Sequence, residues 1–297
     1  MAIKQYLNRH LEPKTIKTYL TYLNHFFISF EKKKIDPKTA TYNQILEYIG
    51  EKRSHYKNSD SLNCILSSIK YYFDYLIEKQ ERTDNPVKSI KLRDKQSRDI
   101  QVQDLFTSQE LELLLNRKER YSILKNRNQF IISLLIYQGF KTGEIADLKL
   151  DSVNLKDGTI TVKSSIKTNN RTLKLKANQV YFLMNYLSLE RPNLLVQSKA
   201  EGQKESTSKL LISKLGNEEK GEGIHYLIES SKHLFENKKL NPVTIRQSVI
   251  YNLLKSGNDL RIVQVFAGHK YPTATEKYKQ THLEELKNQV LKFHPLQ

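Results

Sequence analysis

A single cysteine, Cys64, stands in 297 residues. That excludes an intrachain disulfide and any cysteine-cluster metal site, and the setting Leu62-Asn-Cys-Ile-Leu66 reads as a small core position. The eight histidines show neither HxxH nor HExxH spacing, so zinc chemistry is disfavoured, and no metal and no cofactor are expected. No run approaches about 18 consecutive apolar residues, so no membrane span is expected. The opening Met-Ala-Ile-Lys-Gln-Tyr lacks a signal-like apolar stretch. Internal repeats and low-complexity tracts are missing too. These absences lead to the expectation of a soluble, cytoplasmic, globular protein.

Acidic residues are in the minority. Against 49 Lys and Arg stand 32 Asp and Glu, a formal charge of +17, which points to a polyanionic partner. Residues 1–100 carry 19 basic and 12 acidic side chains and the remainder 30 and 20, so both parts are net positive. An even split fits two domains gripping one duplex; the bland alternative is a lysine-rich composition throughout. A hydrophobic share of 38% supports compact cores, and the length has room for two domains.

Apolar periodicity predicts helices over 15–30, 42–52 and 61–79, making residues 1–85 a small helical bundle. Lys14, Lys17, Lys57 and Lys70 fall on its outer faces as candidate phosphate contacts, although solvated surface is the plainer reading for any one of them. Residues 88–103 are polar, charged and aperiodic, and read as a linker. A capping box, Thr107-Ser-Gln-Glu110, opens a second domain with a helix over 108–115. An apolar helix over 130–137 breaks at Gly139. Residues 159–163 and 171–175 alternate and read as a hairpin around Lys167, Thr168, Asn169 and Asn170. Further helices are expected over 177–189 and 223–235, with a loop over 196–222 interrupted by the apolar run 210–213.

The last sixty residues hold the densest signals. Asn241-Pro242 is a strong helix start, predicting a helix over 242–256 with Ile245, Val249 and Leu253 as its buried stripe. Arg246 borders that stripe. It either snorkels outward or is held part-buried to offer a fixed fork to an anion. A second helix, capped by Asp259 with Ile262, Val263 and Phe266 buried, runs to Ala267 and ends at Gly268, directly before His269. Taken alone, His269 reads as structural or solvated and Tyr278 as a surface aromatic.

Together these residues resemble the signature of the tyrosine recombinases, the integrase family that includes phage integrases and Xer-type resolvases. That family places an arginine early in a helix, Gly-His (or Trp) after the next helix, and a nucleophilic tyrosine nine residues on, as Arg246, Gly268-His269 and Tyr278 stand here. Gly139-Phe-Lys141-Thr-Gly-Glu144-Ile-Ala-Asp-Leu148 resembles the family's GLRxSEL motif, with lysine for its first catalytic arginine; Val243 stands where a histidine is usual. The resemblance implies a mainly α fold with a small β-hairpin or sheet: a helical, SAM-like core-binding domain over 1–87, closing on Asn85-Pro86-Val87, a linker over 88–103, and an α+β catalytic domain over 104–297, together a C-shaped DNA clamp. It implies a DNA strand-exchange enzyme working through a 3′-phosphotyrosine, with Tyr278 as nucleophile. Arg246, His269 and Lys141 would act on the phosphate, and Lys167 (Lys163 second) on the leaving oxygen. Arg171 and Lys270 join Lys14, Lys17 and Lys57 as expected DNA contacts. The partners implied are double-stranded recombination sites and, through a terminal helix over 281–292, three further copies in a tetramer on DNA. The alternatives are a catalytically impaired DNA-binding relative with a regulatory or accessory role, and a type IB topoisomerase relative.

Overall fold

The computed structural model describes residues 2–56, 58–92, 100–165, 168–200 and 207–278, with the backbone only at 197–200. The chain divides into two compact units, Met1–Arg98 and Asp99–Gln297.

Among its described residues the first unit has four α-helices and no strand: α1 (Ala2–His10), α2 (Pro13–Lys32), α3 (Tyr42–His55) and α4 (Ser59–Glu78). Proline at the first position starts α2, Thr41 and Gln44 form a reciprocal capping box on α3, and Asn58 caps α4. The periodic apolar positions meet in one core, where Phe26 packs on Phe30 at 4.3 Å and edge-on to Tyr48 at 5.4 Å. Each such buried ring contributes about 1.5–3 kcal/mol. Helix α1, missed by the sequence reading, adds a smaller cluster in which Tyr6, Leu7, Ile16 and Tyr19 cover the half-buried Cys64. Asn85 closes the unit by donating to the Lys70 carbonyl and to Asp74 while accepting from the Val87 amide.

The second unit has α5 (Ser108–Glu112), α6 (Lys125–Gln138), α7 (Thr142–Asp147), the strands β1 (Val153–Asn154), β2 (Thr159–Val162) and β3 (Arg171–Lys174), then α8 (Ala177–Asn185), α9 (Arg191–Ala200), α10 (Gly221–Glu229), α11 (Pro242–Lys255) and α12 (Leu260–Ala267). Helix α6 is buried nearly all round and forms the axis of this core. Its first amides are capped by the carboxylate of Glu190, which accepts from Asn126 and Arg127 at 2.8 and 2.9 Å. Strands β1, β2 and β3 make an antiparallel sheet in that order, with Val162 opposite Arg171.

Several expectations shift. The hairpin gains a third strand, β1, too short to show periodicity. The helix expected over 177–189 continues through a π-turn, Tyr186–Glu190, into α9, so part of the expected loop is helical. The helix expected over 223–235 is α10 followed by a 3₁₀ turn, Lys232–Leu234. The expected linker is anchored at both ends: Ile90 and Leu92 lie against the first core, Ile100 and Val102 against the cluster around Tyr278. Ile262, expected inside, is 64% exposed; α12 buries Val263, Gln264 and Ala267, and Ile262 with Val265 lies on its opposite side. No helix among the described residues is long and apolar enough to cross a membrane.

Candidate active site

Helix α6 ends in a left-handed Gly139 with φ of 60°, and α12 in a left-handed Gly268 with φ of 66°. Only glycine adopts this backbone routinely, so both helices stop abruptly, and the next residues enter the site. Arg246 joins the two ends. Its side chain leaves α11 in the second turn, is 8% exposed, and donates from Nη1 to the Gly139 carbonyl at 2.5 Å and from Nη2 to the Ala267 carbonyl at 2.7 Å. The structure excludes the outward, snorkelling reading of this arginine. Two of its five donors hold carbonyls, leaving three.

Lys141 caps α7 and is exposed, with its amide held by the Glu144 carboxylate at 2.9 Å. His269 pairs with Thr168 in an isolated bridge to the hairpin, and its Nδ1 lies 2.8 Å from the hydroxyl of the fully buried Thr275. When that hydroxyl donates, the ring proton sits on Nε2, free to donate to an anion. Nothing in the polar run around Thr275 singles it out. Glu144 had a signal, its place three residues into a helix start.

Burial pushes the His269 imidazole down from 6.5 to about 4, with Arg246, Lys141 and Arg171 adding to the shift and Glu144 opposing it. The ring is therefore neutral at neutral pH. Since the unfolded chain takes up this proton first, the stability owed to the neutral ring is intact above about 6.5 and declines as pH falls toward 4. NMR titration of the free protein is expected to give a midpoint near 4 for His269; a midpoint near 6.5 would put the ring in solvent.

Tyr278 is helical, as are the residues from 273 onward that precede it, and is 8% exposed. It is not a surface aromatic. Its ring belongs to a cluster with Leu105, Ile250, Tyr251, Val263 and Ala267. Burial raises its phenol above the ordinary range, and the Arg246 charge opposes that rise. Val243 lies 64% exposed on the first turn of α11 and offers no proton acceptor.

The expected DNA contacts separate. Lys14 and Lys17 on α2 and Lys270 beside His269 are exposed. Arg171 is not presented at a surface: its side chain is 1% exposed and ion-paired with Glu144. Lys57, Lys167 and the segment 281–292 lie outside the described residues. Ser165 and Thr168, which flank the expected hairpin tip, are bridged through backbone and hydroxyls. Lys163 is exposed and helps line a cleft of about 410 Å³ together with Lys141, Glu144 and Thr168. Among the described residues no cluster of three or more His, Cys, Asp or Glu could hold a metal ion.

Comparison with known proteins bears on both units. Residues 3–80 match the phage integrase N-terminal SAM-like domain, and residues 104–285 match the phage integrase family. Tyrosine recombinase XerD of Listeria monocytogenes is 26% identical over 97% of this chain and 95% of its own length. Tyrosine recombinase XerC of Thermodesulfovibrio yellowstonii is 24% identical over 95% of this chain and 90% of that protein. Among solved structures, XerH recombinase bound to its difH substrate in a pre-cleavage complex superposes with a TM-score of 0.67 at 18% identity, covering 92% of this chain and 78% of that one. A lambda integrase (75–356) dimer bound to a COC′ core site gives 0.65 at 15%, covering 93% and 92%. These two likenesses are of fold. With both units matched to their models and relatives aligned almost end to end, this chain belongs to the phage integrase family and is a tyrosine-type site-specific recombinase.

Proposed function

We propose that this recombinase cleaves double-stranded DNA by attack of the Tyr278 hydroxyl on a backbone phosphorus. The phenolic proton passes to solvent, the P–O5′ bond breaks, a 3′-phosphotyrosine forms, and a 5′-hydroxyl departs with a proton from Lys167. The ester keeps the bond energy, so a 5′-hydroxyl from another strand reverses the step without a nucleoside triphosphate. Arg246, with its remaining donors, Lys141 and the Nε2–H of His269 stabilise charge on the nonbridging oxygens.

One observation carries this reading: a single buried guanidinium, Arg246, bonds the backbone two residues before Lys141 and two before His269, and acts on the ionisation of Tyr278. An arginine kept only for folding would have no reason to act on both a histidine and a phenol. Lys14, Lys17, Lys57 and Lys270 supply further phosphate contacts outside the reacting set, consistent with +17 spread over both units. Assembly into a tetramer on paired sites, through residues 281–292, and a cytoplasmic location belong to the same reading.

Incubation with a nicked suicide substrate tests it. A denaturing gel is expected to show protein attached to DNA and newly joined strands, and a native gel of the same reaction a four-protomer complex. Shifted but unattached DNA would sink the proposal; attachment with relaxation but no strand joining would leave the chemistry and remove the exchange.

A further inference from the structure

Arg171 opens β3 inside the second unit. Its Nη1 donates to Glu144 Oε1 at 3.0 Å and its Nη2 to Oε2 at 2.8 Å, a two-pronged match that a planar guanidinium supplies and an ammonium does not. The same Oε2 accepts the backbone amide of Lys141. Burial alone would raise the Glu144 carboxyl, yet the Arg171 pair holds it below the usual carboxylate range, so the partner is an anion at neutral pH.

The other side of the guanidinium meets the second catalytic loop. A Cβ added at Gly268 would lie 2.5 Å from Arg171 Nη1. The Asn169 amide donates to the Gly268 carbonyl at 3.1 Å, and Thr168 bridges His269. The Phe140 ring lies against the guanidinium, 5.2 Å from its carbon. One buried ion pair thus touches both the helix start that carries Lys141 and the turn that carries His269. Such pairs are weak contributors to stability, because desolvation offsets their attraction. Their geometry, however, is fixed, and a misplacement of about 1 Å in a reacting group costs on the order of 10²-fold in rate.

We propose that Arg171 and Glu144 are a positioning pair, setting Lys141 and His269 at the separation one phosphate requires while touching no DNA themselves. This rests on the assignment of Tyr278, Lys141 and His269 to the reaction. The pair's effect then falls on the rate of cleavage and not on DNA affinity.

Three substitutions separate this role from a merely structural one. Arg171→Lys keeps the charge and loses the fork, Glu144→Gln keeps the shape and loses the charge, and Gly268→Ala leaves both partners and presses on the guanidinium. For each, adduct formation on the nicked substrate, affinity by gel shift, thermal unfolding and the His269 titration by NMR are compared with the unaltered protein. Adduct formation is expected to fall on the order of 10²-fold in Glu144→Gln and Gly268→Ala, and less in Arg171→Lys, with affinity preserved in all three. Melting is expected to fall in Glu144→Gln, which leaves a buried guanidinium unpaired, and in Gly268→Ala, which strains a left-handed position, and to change least in Arg171→Lys. The His269 midpoint should move lower in Glu144→Gln, because the carboxylate that favours imidazolium is gone. Unchanged cleavage in the folded variants overturns the pairing role. So does a loss that the unfolded fraction alone accounts for, or one that tracks DNA affinity. No adduct from the unaltered protein overturns instead the reading of Tyr278 on which the pairing role rests.

Discussion

Tyr278→Phe is expected to abolish the covalent adduct while leaving folding and DNA affinity almost unchanged. The substitution removes one oxygen from a ring whose carbon face packs with Leu105, Ile250, Tyr251, Val263 and Ala267, so the apolar contacts persist and no cavity opens. What is lost is the atom that would bond phosphorus, and no positioned charge substitutes for a missing nucleophile. A suicide substrate resolved on a denaturing gel reads the adduct, and a gel shift on the same preparation reads affinity. Adduct at the parental rate in the phenylalanine variant would assign the attack to another residue.

The second large effect is at Lys141. On the proposed reading, Lys141 supplies the charge that the family draws from arginine, but as a point donor without the bidentate fork. Its amide is fixed by Glu144, its side chain is exposed, and its charge is felt at His269. Lys141→Ala therefore removes a cation from the phosphate's surroundings without emptying any core. Cleavage should fall on the order of a hundredfold or more with binding retained. Lys141→Arg restores the family's residue at an open position and should be tolerated. On the proposed correspondence of Val243 with the family's usual histidine, the enzyme would lack one acid or base worth about 10² to 10⁴ in rate, and it is expected to be slow but active. Single-turnover rates on the nicked substrate measure all of this. An alanine variant as fast as the parent would show that some other cation does the work of Lys141.

Local chemistry was legible in the sequence wherever it acts within a few residues. Asn241 accepting from the Thr244 amide, Thr107 exchanging bonds with Glu110, and Asp259 capping α12 all follow from side chains that reach their own backbone. What spacing could not decide was orientation in tertiary space. Arg246 had two readings because its partners, the carbonyls of Gly139 and Ala267, lie 107 and 21 residues away. Arg171, beside a polar hairpin tip, looked like a DNA contact, and the carboxylate that turns it inward is 27 residues upstream. Ile262 misled because α12 carries apolar side chains on both faces, and periodicity alone does not say which face meets the core. The burial of Tyr278 depends on Leu105 and α11, neither of which leaves a mark on the run around the tyrosine.

That burial has a bearing on restraint. A chain with 49 basic residues against 32 acidic ones attracts nucleic acid of any sequence, since phosphate attraction is blind to base identity. An enzyme with a freely offered phenol would risk nicking wherever it paused. Here the phenol is seated among aliphatic and aromatic neighbours, 8% exposed and less acidic than in water. On the proposed reading of Tyr278 as nucleophile, only a duplex held well enough to draw it from that seat would gain a reactive partner. Loose contact would then stay chemically silent.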